Sequence, residues 1–258
     1  MKLVANIQLL PDAAQLVALK QTLKRCNEAC NYAAGVALEN KEFRQFSLQK
    51  IAYREMRDRY EIPAQMAILS VAKVVDAYKV GRKDAARKFR PTASHPFDAR
   101  LVRICNDTEL SIRLLDKRHT IKYVCGDHQR ALLKSQKGEM DLMFVRGKWY
   151  LACTCDIAEA PQAEPTDFIG VDLGVVNIAY DSDGQHFTGD RVNANRRKHE
   201  HRRRNLQKKK TRSAKRKLKK ISGRQARFQK DTNHVISKRI VEKAQRYGRG
   251  IALENLRG

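Results

Sequence analysis

A chain of 258 residues, 42% of them apolar, is long enough for one large domain or two ordinary ones with buried cores. A net charge of +25 is costly to hold on a compact body unless a polyanion neutralises it, which points to nucleic acid as the partner. No apolar run approaches the roughly 20 residues of a membrane span, and Met1-Lys2-Leu3-Val4-Ala5-Asn6 lacks a secretory h-region, so the expectation is a cytoplasmic protein, nucleoid-associated when bound to DNA.

The segment Lys2 to Leu9 reads as a strand that Pro11-Asp12 ends while opening a helix. Leu16, Leu19, Leu23, Cys26, Cys30 and Ala33 then recur at steps of three and four, which marks one apolar helical face. Ser47 is suited to cap a second helix carrying Leu48, Ile51, Ala52 and Met56. Pro63 starts a third, with Ala64, Ile68, Val71, Val75 and Tyr78 on one stripe. Residues 11–90 are therefore expected to form a small helical bundle.

From Ala99 the apolar period changes to two, in Leu101 to Ile104, Leu110 to Leu114 and Thr120 to Val124. The clearest pair is a hairpin from Leu142 to Cys153, reversed at Arg146-Gly147. One strand, a helical insertion and several further strands predict a β-barrel of residues 1–10 and 91–157 interrupted by helices. Of the six cysteines, none lies in a C-x-x-C pair, so buried thiols are expected and not a zinc knuckle.

Ala158 to Pro165 has two prolines and no apolar period, and residues 158–166 read as a linker. A second domain, 167–258, follows. It opens on a strand, Phe168 to Gly174, then Asn177 to Tyr180, an Asp181-Ser182-Asp183-Gly184 turn, and Gln185 to Thr188. A basic helical stretch spans 191–247, and an apolar strand, Gly250 to Asn255, carries Glu254 near its end.

Two features carry chemistry. Asp172 lies between Val171 and Leu173, where an unpaired carboxylate costs several kcal/mol unless a cation or metal partners it, roughly 2–7 kcal/mol for a neutral polar group and more for a charge. Glu254 ends another apolar strand after a long helical excursion, as expected if two neighbouring strands present acids to one Mg²⁺ site for phosphodiester hydrolysis. Taken singly, Asp172 can instead cap the Gly174 turn and Glu254 can be a surface acid. Gly170-Val171-Asp172-Leu173-Gly174 also resembles the first phosphate loop of actin-like ATPases and sugar kinases. The second feature is charge: residues 196–230 hold 18 Lys/Arg against one acid, Glu200. Arg202, Arg203, Arg204, Lys208, Lys209, Lys210, Arg212, Lys215, Arg216, Lys217, Lys219, Lys220 and Arg224 are the expected phosphate-binding residues. Leu206, Leu218, Ile221 and Phe228, interspersed among them, argue for packed helices over a disordered basic arm.

Together, Phe168 to Asn177, Gln207 to Arg216, Ser222-Gly223-Arg224, Lys230 to His234 and Leu253-Glu254-Asn255-Leu256 resemble the TnpB (OrfB) family of insertion-sequence proteins, often described as transposases and related to the compact type V CRISPR effectors. The resemblance is dense from about 167 to 258 and looser over 1–160. It implies an α+β multidomain chain: a wedge-type β-barrel interrupted by a helical recognition lobe, then an incomplete RuvC, ribonuclease H-like α/β domain. It implies RNA-guided, Mg²⁺-dependent DNA cleavage, with Asp172 and Glu254 as metal-binding catalytic carboxylates and with guide RNA and double-stranded DNA as partners. Family members continue into a four-cysteine Zn²⁺ ribbon and a third catalytic aspartate, neither of which this chain contains. The expectation is therefore poor or no cleavage by these 258 residues alone, because Asp181 and Asp183 are read as capping a turn at the far end of a hairpin. Guide-RNA-dependent DNA binding without cleavage is the alternative reading, and an actin-like ATPase is a third.

Overall fold

The computed structural model describes residues 1–80, 83–159 and 164–254. The chain divides into two compact units, Met1–Ala160 and Pro161–Gly258.

In the first unit, strand β1 (Lys2–Leu10) leads into helix α1 (Ala13–Glu39), and the switch is local chemistry. The Asp12 carboxylate accepts the Gln15 amide N–H at 2.8 Å, while the Asp12 N–H donates back to Gln15 Oε1 at 3.1 Å. This reciprocal cap satisfies two N–H groups that the first helical turn leaves without partners. Helix α2 (Gln45–Tyr60) begins behind Arg44 without a side-chain cap, so Ser47 sits inside its first turn and does not cap it. Helix α3 (Ala64–Lys79) starts directly after Pro63, whose fixed φ suits that position. Leu19, Leu23, Cys26 and Cys30 of α1, Leu48, Ala52 and Met56 of α2, and Met66, Val71 and Val75 of α3 share one buried core.

That core is continuous with a sheet of β2 (His95–Phe97), β3 (Val102–Ile104), β4 (Glu109–Arg113), β5 (Arg118–Val124), β6 (Gln136–Val145) and β7 (Lys148–Asp156), with a short helix α4 (Asp127–Leu133) between β5 and β6. Strand order is β2-β6-β7-β1-β5-β4-β3, which leaves β2 and β3 as unjoined edges. The expected barrel is accordingly a curled half-barrel. Closure needs a last pair of strands in register, and β2 and β3, at three residues each, offer little ladder for it. The β6–β7 hairpin turns at Arg146 and Gly147, with φ values of 53° and 82°, the left-handed pair that a two-residue turn requires. Cys26, Cys30, Cys153 and Cys155 are free and buried, and burial pushes the Cys26 and Cys153 thiols up, Cys153 to about 12.

The second unit holds a four-stranded sheet of β8 (Phe168–Asp172), β9 (Asn177–Asp181), β10 (His186–Thr188) and β11 (Gly250–Leu253), in the order β10-β9-β8-β11. Helices α5 (Asp190–Lys208), α6 (Arg212–Ile221) and α7 (Arg224–Arg246) connect β10 to β11. Residues 160–163 of the expected linker, and Asn255 at the end of the expected last strand, lie outside the described residues. β11 runs parallel to β8, a pairing that needs a long crossover, which the three helices supply. Ile236, Ile240 and Ala244 of α7, at steps of four, pack on Ile169, Val171 and Ala179 of the sheet. Among the described residues no helix is long and apolar enough to cross a membrane.

Candidate nucleic-acid cleavage site

Side chains alternate between faces along a strand, so with Ile169 and Val171 against α7, Gly170 and Asp172 point to the opposite face. The β8–β11 register pairs Val171 with Leu253, and Asp172 and Glu254 are the next residues along their parallel strands. Both acids are exposed, and both line a cleft of about 520 Å³ with Gly170, Tyr180, Asp181, Ser182 and Ala252. The two sequence-derived carboxylates thus come together at the ends of adjacent strands, whose axes lie about 4.8 Å apart.

Asp181 departs from expectation. β8 and β9 share two residue pairs, Val171 with Asp181 and Asp172 with Tyr180, so the end of β9 lies beside Asp172 and not at the far end of a hairpin. The Asp181 carboxylate is nearly fully buried. One of its oxygens accepts the N–H groups of Asp183 at 3.1 Å and Gln185 at 2.9 Å, closing the turn to β10. The other accepts from Lys243 Nζ at 2.7 Å. Lys243 also lies 2.8 Å from Asp183, which Arg249 grips with two nitrogens at 3.0 and 2.6 Å. Burial alone would raise the Asp181 carboxyl, but the Lys243 ammonium and the Gln185 N–H outweigh it and hold the group below its usual range. Arg249 and then Lys243 hold Asp183 well below that range. Both oxygens of Asp181 are committed, so it neighbours the cleft as a neutralised structural acid.

Nothing in the sequence singles out Lys243 or Arg249 among the surrounding basic residues. The available signal is the spacing of Lys243 from Ile236 and Ile240, which sets it on the margin of the buried face of α7.

A folded-state carboxyl pKa below the unfolded value stabilises the fold above the unfolded pKa, near 3.9, and that contribution is lost as pH falls through the folded pKa. The melting temperature of the second unit is therefore expected to fall between about pH 4 and pH 2. Lys243→Met should lower it at pH 7 by on the order of 10 °C or more, because it leaves a buried carboxylate without its cation, and should flatten the acid limb. Calorimetric melts across pH check both.

Two hard carboxylate donors beside open solvent fit a Mg²⁺ ion, which commonly takes one or two carboxylates and completes its shell with water and phosphate oxygens. Among the described residues no group of three or more His, Cys, Asp or Glu side chains is arranged to hold a metal ion. The donor set therefore suits one open, water-rich ion and does not form a closed protein cage.

Of the basic residues, Arg202, Arg203, Arg204 and Lys208 lie on α5, and Lys209 and Lys210 follow it. Arg212, Lys215, Arg216, Lys217, Lys219 and Lys220 lie on α6, and Arg224 opens α7. All thirteen are exposed, and among the described residues none makes an ion pair. The Thr211 hydroxyl caps α6 by accepting the Ala214 N–H at 3.2 Å, and Ala214 and Ile221 are buried, so this charge is carried on packed helices.

Residues 152–256 match the OrfB_IS605 family model, described as a probable transposase. A search of curated proteins found no match. Among solved structures, a chain from the "Cryo-EM structure of the Cas12f1-sgRNA-target DNA complex" is similar, with a TM-score of 0.62 and 14% identity over 94% of the present chain. The present chain spans 65% of the length of that one. At this identity the likeness concerns the fold.

Proposed function

We propose, from the TnpB-like family assignment that the OrfB match and the Cas12f1-like fold together support, that the chain is a transposon-associated, RNA-guided DNA endonuclease that hydrolyses phosphodiesters at a RuvC-type site. The observation that carries this reading is the convergence of Asp172 and Glu254 on one open cleft from the ends of parallel β8 and β11. On this reading residues 167–258 form the RuvC-like domain, residues 1–10 and 91–157 the wedge, and residues 11–90 the recognition lobe.

Asp172 and Glu254 are the groups that would hold Mg²⁺, which when bound supplies an activated water and neutralises charge on the phosphoryl oxygens. The chain's own residues do the rest. The exposed cations of α5 and α6 take phosphates and so bring a strand to the sheet, with an affinity that falls steeply with salt. The Lys243–Asp181–Asp183–Arg249 cluster ties α7 and the start of β11 to the β9–β10 turn, which keeps Glu254 in register with Asp172. A second reading, guide-dependent DNA binding without cleavage, is favoured because the third acid lining the cleft, Asp181, is committed to Lys243 and its own turn, and among the described residues no three acids are arranged to hold a metal ion.

The partner claim is tested by sequencing nucleic acid that stays with the purified chain through a wash at moderate salt. One defined RNA species is the expected result, and a random collection of fragments would reduce the chain to a generic basic binder.

A further inference from the structure

Beside the two acids, the same face of the sheet carries an aromatic pair that phosphate binding and metal binding leave unused. Tyr180 is the cross-strand partner of Asp172, and His186 is the cross-strand partner of Tyr180, so Glu254, Asp172, Tyr180 and His186 form one transverse row over β11, β8, β9 and β10. The Tyr180 and His186 ring centroids lie 6.4 Å apart with planes 20° from parallel. Tyr180 is 47% exposed and lines the cleft, and His186 is exposed. Gly170 and Ala252 in the same cleft have little or no side chain to cover the rings.

We infer that Tyr180, flanked by His186, is a stacking platform for an unpaired nucleobase of the DNA strand whose phosphate lies at Asp172 and Glu254. The platform stands one to two strand spacings from the carboxylates, roughly 5–10 Å, within reach of a base whose own backbone sits at the acids. An exposed tyrosine presents a flat π-face to any base, and a basic chain that already draws in a polyanion leaves the base as the part needing an apolar contact. A duplex keeps its bases paired and stacked, so the platform selects single-stranded substrate at the moment of cutting. The inference rests on the nuclease reading for its location, but its test requires no cleavage.

The probe is a short oligothymidylate carrying one 5-iodouracil, irradiated with the full 258-residue chain, with the crosslinked peptide then identified. The expected adduct lies in the peptide holding Tyr180 and His186. Tyr180→Ala and Tyr180→Leu are each expected to cut its yield by about tenfold, the worth of one base–aromatic stack, while Tyr180→Phe retains it. The leucine variant keeps apolar bulk on the strand, so a loss shared by both variants, with unchanged melting, reports the ring. Adducts confined to residues 196–230, or a yield unaltered in both the alanine and leucine variants, would overturn the inference. If the adduct forms at Tyr180 but no preparation cuts DNA, the nuclease reading fails and the platform stands. If Asp172-dependent cutting occurs without the adduct, the platform fails and the nuclease reading stands.

Discussion

In a chain completed with the third catalytic acid that the family resemblance implies, replacing Asp172 with alanine is expected to reduce guide-dependent, Mg²⁺-dependent plasmid cleavage by at least about 100-fold while leaving target binding nearly intact, and Glu254→Ala should behave alike. The expected size follows from what each side chain does. Misplacing a reacting group by about 1 Å already costs on the order of 100-fold, and removing one of two carboxylates takes away half of the protein's hold on the ion. Binding is spared for an electrostatic reason: taking a negative charge from a chain of net charge +25 relieves repulsion with phosphate and disturbs no cation. Both side chains are exposed at strand ends, so the alanine variants should fold. Were Asp172 merely a turn cap, binding and melting temperature would fall together with cleavage.

The second large effect concerns salt. Changing Lys215, Arg216, Lys219 and Lys220 together to glutamine should lower the slope of log affinity against log salt by roughly 3–4 on duplex and by about 3 on a single strand, since each phosphate contact contributes about 0.9 or 0.7. Glutamine has nearly the helix propensity of lysine, and all four side chains are exposed, so α6 and its buried Ala214 and Ile221 should remain in place. Titrations at several salt concentrations measure the slope. An unchanged slope would mean that phosphates are bound elsewhere on the chain.

How much of this was legible in the sequence depended on whether the cause was local. The Asp12 cap, the Arg146-Gly147 turn and the three-four spacing of Leu19, Leu23, Cys26 and Cys30 are decided within a few residues, and each stands where its pattern put it. The acids at Asp172 and Glu254 were readable as strand-end carboxylates because an ionised group in an apolar run stands out. The open edge of the first sheet was not readable, since closure depends on whether two three-residue strands find each other across the whole unit. Nor was the burial of Asp181. Its turn-capping hydrogen bonds follow from Asp-x-Asp-Gly, but its nearness to Asp172 depends on β8 and β9 sharing just two residue pairs, and its partner Lys243 is 62 residues away in a helix crowded with lysine and arginine. Cross-strand neighbours such as Tyr180 and His186 fall in the same class, because register is a tertiary property.

The most direct measurement of the central claim is to assay one guide-loaded preparation of the chain completed with the third acid, with and without Asp172→Ala, for plasmid cleavage and for binding of the matched target in the same buffer. The account predicts that cutting requires Mg²⁺ and the matched guide, that it vanishes in the variant, and that target binding persists. Equal cutting by the variant, or joint loss of cutting and binding in a variant that melts like the parent, would contradict the assignment of Asp172 to the cleavage centre.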